Sequence, residues 1–393
     1  MSKYGKRSDD KSFHSHYATT QSKKGRIKPL PKDNFRTDFQ RDVHRIIYSQ
    51  AFRRLRHKTQ VFFFPRNDHV CTRMEHVLHV ASAARAVARN FRLNEDLAEA
   101  IGLAHDIGHP PFGHDGEEII RDIIEKHNDL KQIIPEFSHE INGLRVVDKI
   151  AKLDREPPGL NLTWEVRDGI ISHYGEDRKI YTLTPCNDNK ILESIKHRKD
   201  AGIPTTPEGC IVRLVDKVVY AGRDLEDAIM TGVVEDGKVP REIKIVLGKN
   251  NGEMVGTFLK DMIQNSSNDH ISLSKRMGKL LDRLIDFNYK HIYYSDQAKR
   301  YKEQAKYTLT SLFDALMGIL KATNRFRKDG SLTKLLSDTV VFKVFKQFVT
   351  EDMGKAYSRQ DPNSLIVLDF IAGMTDNFAL DSYLELFVPQ PTV

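Results

Sequence analysis

The sequence predicts a mostly α-helical protein, and three observations support this fold class. Apolar residues recur at helical spacing in most segments after residue 38, for example at Val77, Val80, Ala84 and Val87. Capping residues and prolines mark the ends of several of these segments. Few stretches alternate apolar and polar residues in the way that a half-buried strand does. We therefore expect a helical bundle without a large sheet.

Composition divides the chain into three parts. Residues 1–37 form a basic arm without periodicity, in which residues 1–32 hold nine Lys or Arg against two Asp. We expect this arm to be loop and partly flexible. Residues 38–230 form a core that carries the motifs described below. Residues 231–393 form a helical C-terminal region packed on that core.

The individual elements follow from periodicity and from caps. Residues 61–65 read as a short strand or hairpin arm, and residues 174–207 as an irregular surface excursion. Asn94 is the predicted N-cap of the helix that precedes residue 105. Gly108 and the Pro110-Pro111 pair are predicted to end that helix. Helices are predicted over residues 38–49, 70–91, 94–107, 115–127, 138–151, 164–173, 207–227, 279–294, 305–323, 365–373 and 382–387.

Composition excludes some classes of protein and indicates others. The chain has no run of eighteen apolar residues and no signal peptide, so we expect a soluble, cytoplasmic protein without a membrane partner. Its three cysteines are scattered and read as reduced thiols. The net charge of +7 favours an acidic partner, such as nucleic acid or a nucleoside triphosphate. A basic solvated surface is the simpler explanation.

The segment Leu103–Glu117 is the most informative stretch, because it holds three histidines and three acids between His105 and Glu117. The preceding helix delivers His105 and Asp106 at its C-terminal end. The side chains of adjacent helical residues point about 100° apart. His105 and Asp106 could therefore reach one ion only where the backbone departs from regular helical geometry, as it does at a helix end.

Two further residues complete a candidate metal site. His76 lies beside the apolar face of an upstream helix, and Asp216 stands inside an apolar run, where a carboxylate is costly unless it is paired or bound to a metal. His76 alone could be a hydrogen-bonded core residue, and Asp216 could pair with Lys217 or Arg213. Together with His105 and Asp106 they form a mixed nitrogen and oxygen donor set.

With these residues the chain resembles a known family, the HD-domain phosphohydrolases, and specifically their deoxyguanosinetriphosphate triphosphohydrolase branch. Residues 105–117 match the branch's His-Asp-Ile-Gly-x-Pro-Pro-Phe-Gly-His-x-Gly-Glu run. Further matches lie at residues 51–61, 161–167, 224–227 and 371–376. The resemblance extends from about residue 38 to about residue 383. It implies an HD-domain helical bundle with a helical C-terminal extension.

The resemblance also implies roles for individual residues. The branch's metal ligands match His76, His105, Asp106 and Asp216, and its catalytic histidine and acid match His114 and Glu117. Phosphate positioning is the alternative role of His114. Tyr220 and Asp224 match the deoxyribose contacts; alternatively, Tyr220 is a core residue and Asp224 pairs with Arg223 at the surface. The remaining implied substrate contacts are Gln60, Val61, Arg73, His139 and Lys217. Independently of the resemblance, His109 lies near the ligands in sequence and is expected to be a further cationic donor to the phosphates.

The implied reaction is hydrolysis of a deoxynucleoside triphosphate, dGTP or others, to the deoxynucleoside and inorganic triphosphate. The implied cofactor is a divalent ion, Mn²⁺ or Mg²⁺, with Fe, Co and Ni as alternatives. Family members are commonly tetramers or hexamers, so a homo-oligomer is expected, and single-stranded DNA is a further partner to consider. Two other functions stay open: an HD-type nucleotidase or phosphodiesterase acting on other nucleotides, and a nucleic-acid-binding protein.

Overall fold

The fold is described from a computed structural model. It covers residues 15–61, 69–153, 156–174, 180–186, 189–323, 339–352, 357–358 and 360–389. The predicted strand at residues 61–65 lies mostly outside the described residues.

Helices dominate the described residues, as predicted. The two strands, β1 (Thr182–Leu183) and β2 (Ile271–Ser272), form one short antiparallel pair, with Thr182 opposite Ser272 and Leu183 opposite Ile271. The helices are α1 (Asp38–Tyr48), α2 (Gln50–Arg54), α3 (Arg73–Asn90), α4 (Glu95–Ala104), α5 (Gly113–Glu125), α6 (Asn128–Ile133), α7 (His139–Arg145), α8 (Trp164–Ser172), α9 (Pro207–Met230), α10 (Arg241–Leu247), α11 (Asn251–Asn265), α12 (Lys275–Asn288), α13 (Asp296–Thr323), α14 (Val340–Gln347), α15 (Asn363–Ala372) and α16 (Asp376–Phe387).

Local sequence accounts for several helix ends. The Asn94 side chain accepts hydrogen bonds from the backbone N–H groups of Asp96 and Leu97, so the predicted N-cap of α4 is confirmed. Thr72 begins α3 with a capping box in which Glu75 bonds back to the Thr72 N–H. Pro207 stands at the start of α9, where its missing N–H costs nothing.

Two hydrophobic clusters hold the bundle together. The first surrounds α3, α4 and α9, which pack on one another, and it also includes buried residues of α1, α8, α11 and α12. The second joins α5 and α6 to α13, α14, α15 and α16. Each cluster contains residues from both sides of position 230, and the predicted domain boundary there stays a prediction.

The described part of the basic arm lies on the protein's own core. Arg26 forms a buried ion pair with Asp42 of α1, and Thr163 donates its hydroxyl to the same carboxylate at 2.6 Å. Further along the arm, Thr19 donates its backbone N–H to Glu208 at the start of α9, at 3.0 Å. The arm therefore contacts α1 and α9 through buried acids, although residues 15–37 contain no helix.

Candidate active site and metal centre

Helices α3, α4 and α9 bring the four predicted metal ligands together. His76 projects from α3, Asp216 from α9, and His105 is the residue that caps the end of α4. Asp216 Oδ1 lies 2.9 Å from His76 Nε2 and 3.5 Å from His105 Nε2. Asp106 follows in the turn after α4, with its oxygens 3.7 Å from His105 Nε2 and 3.8 Å from His76 Nε2. His76, His105 and Asp216 could hold a metal ion.

The protonation pattern of this cluster suits a cation. His105 Nδ1 lies 2.8 Å from the carbonyl oxygen of Gly102, and a carbonyl can only accept, so the proton of a neutral ring sits on Nδ1. The Nε2 atom is then left with a bare lone pair; it is buried and has no hydrogen-bond partner in the described structure. A metal-bound histidine is typically held in this way. Two imidazoles and two carboxylates therefore fit a divalent ion.

The electrostatics of the cluster agree with this fit. Burial alone would raise the pKa of Asp216, but His105 and His76 hold it well below its usual range. Burial opposes protonation of His105, yet Asp106 and Asp216 raise its pKa. The cluster thus stabilises positive charge at its centre. The alternative partners of Asp216, Arg213 and Lys217, have contacts elsewhere. Arg213 donates hydrogen bonds to backbone carbonyls, and Lys217 Nζ lies 3.7 Å from Asp282 of α12.

Arg73, at the start of α3, adds a fixed positive charge beside the cluster. Its Nη1 atom donates to Asp106 Oδ2 at 2.6 Å, and the side chain is buried. Its Nε and Nη2 groups are also buried, and neither has an acceptor among the described residues. Two unused guanidinium donors next to a metal-type cluster would suit the oxygens of a phosphate group.

The predicted catalytic pair lies on the first turns of α5, directly after the loop that joins α4 to α5. Phe112 adopts a left-handed conformation with φ of 65°, and Gly113 begins α5 with φ of 57°. His114 and Glu117 lie on the first turns of α5, and His114 Nδ1 is 3.2 Å from Glu117 Oε1. The His114 side chain is 64% exposed, whereas Glu117 is buried. The His114 ring is therefore exposed to solvent on one side and lies against the buried Glu117 carboxylate on the other, so a bound substrate could contact it.

Glu117 is the centre of a larger group of imidazoles. Its Oε1 atom also lies 2.9 Å from His139 Nδ1 and 3.2 Å from His109 Nδ1. Burial would raise the pKa of Glu117, but the three imidazoles hold it well below its usual range. His109 is buried, which lowers its pKa to about 3, and the neighbouring Arg73 and His139 act in the same direction. His109 is therefore neutral at pH 7 and brings no positive charge to a phosphate.

Gly108 explains how this loop can lie against α7. It was predicted as a helix-ending glycine, but it is not among the glycines with a positive φ. Its role is close approach: a Cβ at this position would lie 2.1 Å from His139 O and 2.2 Å from Gly143 N. Asn142 fixes the contact by donating its amide to Gly108 O at 2.7 Å.

We expect Gly108→Ala to lower the free energy of unfolding by about 3 kcal/mol, since backbone atoms on both sides of the new methyl group cannot move aside easily. Chemical denaturation of the two proteins would measure the change. Gly256→Ala in α11 is the matched control, because nothing lies within 4 Å of a Cβ there. It should stabilise the protein by up to about 1 kcal/mol through helix propensity. Equal unfolding midpoints for the two variants would contradict the packing argument.

Lys58 and Asp376 connect the loop to the C-terminal region. Lys58 Nζ donates to the carbonyl oxygens of His109 and, at 3.2 Å, of Ala372. Asp376, at the start of α16, accepts the Phe112 N–H at 2.9 Å. Both residues lie in segments that match the family, but their role as supports of the loop was not predicted, because lone charged residues give no such signal in a sequence.

The comparisons with known proteins agree with this geometry. The HD domain family model matches residues 73–221. The chain is 37% identical to a deoxyguanosinetriphosphate triphosphohydrolase-like protein of Caldanaerobacter subterraneus subsp. tengcongensis, over 95% of this chain and 92% of the relative. A protein of the same description from Desulfatibacillum aliphaticivorans is also 37% identical, over 97% of this chain and 96% of the relative. The chain belongs to the deoxyguanosinetriphosphate triphosphohydrolase-like family of HD-domain proteins.

As a member of this family, the protein is a phosphohydrolase with a helical fold, and its His, Asp and Glu clusters could bind metal. None of the helices in the described ranges combines the length and the hydropathy that a membrane span requires.

Two further predicted residues, Tyr220 and Asp224, follow Asp216 along α9. Tyr220 lies on α9 one turn beyond Asp216, half-buried against the first hydrophobic cluster. Asp224, one turn further on, is buried rather than paired with Arg223 at the surface, and it accepts a short hydrogen bond from the Tyr293 hydroxyl. Its other oxygen, Oδ1, is buried without a hydrogen-bond partner in the described structure. A hydroxyl group of a ligand could donate a hydrogen bond to this oxygen.

Several residues near the site were missed or keep only a predicted role. The hydrogen bond from Tyr293 to Asp224 was not predicted. Glu140 and His173 were missed because a single acid or histidine within an apolar helix carries no distinctive signal. The roles of Gln60, Val61, Lys217 and His139 in substrate binding stay predictions.

The buried state of Asp224 predicts a pH-dependent stability. Burial is the main cause that raises its pKa to about 7, against the opposing hydrogen bond from Tyr293. An acid whose pKa is raised by folding stabilises the folded state below its unfolded pKa, near 4, and this stabilisation is lost as the pH rises through 7. We expect Asp224→Asn to remove this loss, which amounts to at most about 4 kcal/mol.

Thermal unfolding between pH 5 and pH 8 would measure it. The melting temperature of the wild type should fall relative to that of Asp224→Asn as the pH increases. Asp314→Asn, at an exposed position of α13, should follow the wild type. Parallel curves for the wild type and Asp224→Asn would show that Asp224 does not titrate in this range.

Proposed function

We propose that this protein is a metal-dependent triphosphohydrolase that cleaves deoxynucleoside triphosphates, dGTP among them, to the deoxynucleoside and inorganic triphosphate. The observation that supports it most is the placement of His114 and Glu117 beside the cluster of His76, His105, Asp106 and Asp216. The names of the relatives, deoxyguanosinetriphosphate triphosphohydrolase-like proteins, point to the same substrate class.

The metal would be a divalent ion held by the two imidazoles and two carboxylates of that cluster. When bound, such an ion acts as a Lewis acid on a phosphate oxygen and lowers the pKa of a bound water. Nitrogen and oxygen donors of this kind suit Mn²⁺, and also Mg²⁺, Fe, Co or Ni.

The protein's own groups would position the triphosphate. Arg73 offers its Nε and Nη2 donors to phosphate oxygens while Nη1 stays on Asp106, so the charge is fixed before the substrate arrives. Gln60 and Lys217 are further proposed contacts. Preorganised donors stabilise the negative charge of the triphosphate in the transition state, and this is the larger part of phosphoryl-transfer catalysis.

His114 would exchange a proton with the reacting groups, with Glu117 holding its ring. Attack of water on the α-phosphorus breaks the bond between that phosphorus and the 5′-oxygen of the sugar, so the deoxynucleoside is the leaving group and the triphosphate keeps the incoming oxygen and is released as one unit. A positioned imidazole can protonate that leaving group or take the proton of the attacking water. Both roles are compatible with an exposed His114 whose Nδ1 lies 3.2 Å from a buried carboxylate.

Tyr220 and Asp224 would select the sugar. The unpaired Oδ1 of Asp224 is an acceptor for the 3′-hydroxyl group, and Tyr293 holds the carboxylate in place through Oδ2. The ring of Tyr220, between Asp216 and Asp224 on α9, would pack against the deoxyribose and leave little room for a 2′-hydroxyl group.

The test is identification of the products. The protein is incubated with Mn²⁺ and each of the four deoxynucleoside triphosphates in turn, and the products are separated by anion-exchange chromatography. We expect deoxynucleoside and inorganic triphosphate in equal amounts, and at least tenfold slower turnover of GTP than of dGTP. Release of single phosphates, or preference for monophosphates or cyclic nucleotides, would favour a nucleotidase or phosphodiesterase instead.

A further inference from the structure

Asp376 is a buried acid that the proposed mechanism does not use. It is the first residue of α16, and its side chain contacts the loop that joins α4 to α5. Its Oδ1 atom accepts the backbone N–H of Phe112 at 2.9 Å, and its Oδ2 atom accepts the backbone N–H of Thr59 at 2.8 Å and also the Thr59 hydroxyl. One carboxylate therefore connects α16 to two segments that lie 264 and 317 residues earlier in the chain.

Phe112 is the residue at which the direction of α5 is set. It has φ of 65° and ψ of 22°, a left-handed conformation that bulky residues rarely adopt. Such a conformation persists only where the surrounding structure imposes it. Here the ring is buried in the second hydrophobic cluster, and the bond from the Phe112 N–H to Asp376 fixes the preceding peptide group. The start of α5 therefore depends on a contact from α16.

His114 follows Phe112 by two residues, so its position depends on this turn. The first hydrogen bond of α5 runs from the Gly116 N–H to the Phe112 carbonyl oxygen, at 3.2 Å. A Cβ at Gly116 would lie 1.9 Å from the Pro111 carbonyl oxygen, so the loop packs directly against the first turn. His114 Nδ1 lies 3.2 Å from Glu117 Oε1 in this arrangement. A changed peptide orientation at Phe112 would move the His114 ring away from that carboxylate.

The other oxygen of Asp376 holds the segment that leads to Arg73. Thr59 pairs with Thr72, the residue before Arg73, in an antiparallel bridge. The two segments meet at the site, because a Cβ at Gly113 would lie 3.0 Å from Arg73 Nη2. The same carboxylate thus sets the start of α5 against the guanidinium group that is proposed to bind phosphate.

The groups around Asp376 are suited to a carboxylate. Two N–H groups and one hydroxyl donate to its two oxygens, and an ionised carboxyl group can accept from all three. Burial raises the pKa of Asp376, and the hydrogen bonds from Thr59 and Phe112 and the charge of Lys58 act in the opposite direction. An asparagine has nearly the same shape but would point an N–H group at one of these donors. Asp376→Asn therefore breaks the contact with little change in volume.

We propose that Asp376 is a positioning residue for the hydrolysis: by holding the Phe112 peptide, it keeps the His114 ring on Glu117 and opposite Arg73. The role of His114 in this inference rests on the proposed function. The HD domain model matches residues 73–221, so Asp376 lies well outside the matched segment. The turn between α15 and α16 is then a necessary part of the active site.

A contribution to stability alone is the competing explanation. A buried carboxylate with three donors would also stabilise the fold without any effect on His114. The two explanations differ in a double-mutant cycle, because the effects of residues that act through one another are not additive. If Asp376 acts through His114, its replacement costs little once the imidazole is absent. A purely structural role would lower the rate by the same factor with and without His114.

The experiment measures release of inorganic triphosphate from dGTP by the full-length, Mn²⁺-loaded wild type, Asp376→Asn, His114→Ala and the double variant. We expect Asp376→Asn to lower kcat by about 10- to 100-fold with KM changed by less than about threefold, since a misplacement of about 1 Å can cost this much. In the His114→Ala background the same change should lower kcat by no more than about threefold. Asp381→Asn, at an exposed position of α16, should leave kcat unchanged. If circular dichroism shows Asp376→Asn to be unfolded, Asp376→Glu, which keeps the charge, takes its place in the same cycle.

Amide hydrogen exchange gives a readout that does not depend on turnover. Residues 109–116 should exchange faster in Asp376→Asn than in the wild type, while α11 should not change. Equal losses of kcat in both backgrounds, an unchanged kcat in a folded Asp376→Asn protein, or unchanged exchange at residues 109–116 would each overturn the positioning role. If the wild type releases no triphosphate from any deoxynucleoside triphosphate, the proposed function fails, and the exchange rates still decide whether Asp376 holds the loop.

Discussion

His105→Ala is expected to abolish turnover and to remove the bound metal at the same time. The ring is buried at the end of α4, with Nε2 3.5 Å from Asp216 Oδ1 and 3.7 Å from Asp106 Oδ1. Without it the remaining donors are one imidazole and two carboxylates that also repel each other. Because a bound metal lowers the pKa of water from 15.7 to about 7, its loss should reduce kcat by about 10³-fold or more.

The measurement combines steady-state release of triphosphate with elemental analysis of the dialysed protein. His79→Ala is the matched control, since His79 lies on the exposed side of α3, three residues from His76. It should keep both metal and activity. Full activity in a metal-depleted His105→Ala protein would contradict the proposed reaction, because hydrolysis would then not depend on this centre. Asp106→Ala is expected to behave like His105→Ala.

His114→Ala is expected to reduce kcat by about 10²- to 10⁴-fold, the usual contribution of a general acid or base, while the metal stays bound. The His114 side chain is 64% exposed, so its removal should change the free energy of unfolding by no more than about 0.5 kcal/mol. A loss of activity in a stable, metal-loaded protein separates the chemical step from assembly of the site.

Kinetics, metal content and thermal unfolding of the same preparation would check this prediction. His197→Ala is a suitable control, since His197 is a similarly exposed histidine beside a carboxylate, Glu136. An increase in KM with unchanged kcat in His114→Ala would indicate that His114 only positions the phosphates. An unimpaired rate would refute both roles.

The sequence was sufficient for much of the fold, because helix signals are local. The capped start of α4 at Asn94 and the long core helix from Pro207 were predicted, and the structure confirms them. The helix predicted from residue 305 starts earlier, at Asp296, because the polar first turns of α13 give a weak apolar pattern. Helices α10 and α11 were not individually predicted.

The candidate site was predictable where its residues are close in sequence or match a family motif. His105, Asp106, His114 and Glu117 fall within thirteen residues, and the order of His76 and Asp216 around them completes a recognisable set. By contrast, nothing local distinguishes His173 or Glu140 from ordinary core residues. The proximity of His173 to His139 results from the packing of α7 against α8.

The sequence by itself determined the helical class, the family, and which side chains are chemically suited to a metal and a phosphate. Only the tertiary structure decided how closely these side chains pack, which of them are charged and which hydrogen bonds they form. It placed Gly108 against α7 for close packing, made His109 neutral by burial, and left Asp224 Oδ1 and the Arg73 donors without partners. The physical reason is that residue type and spacing fix local conformation, whereas burial, hydrogen-bond partners and pKa depend on distant segments that meet only in the folded chain.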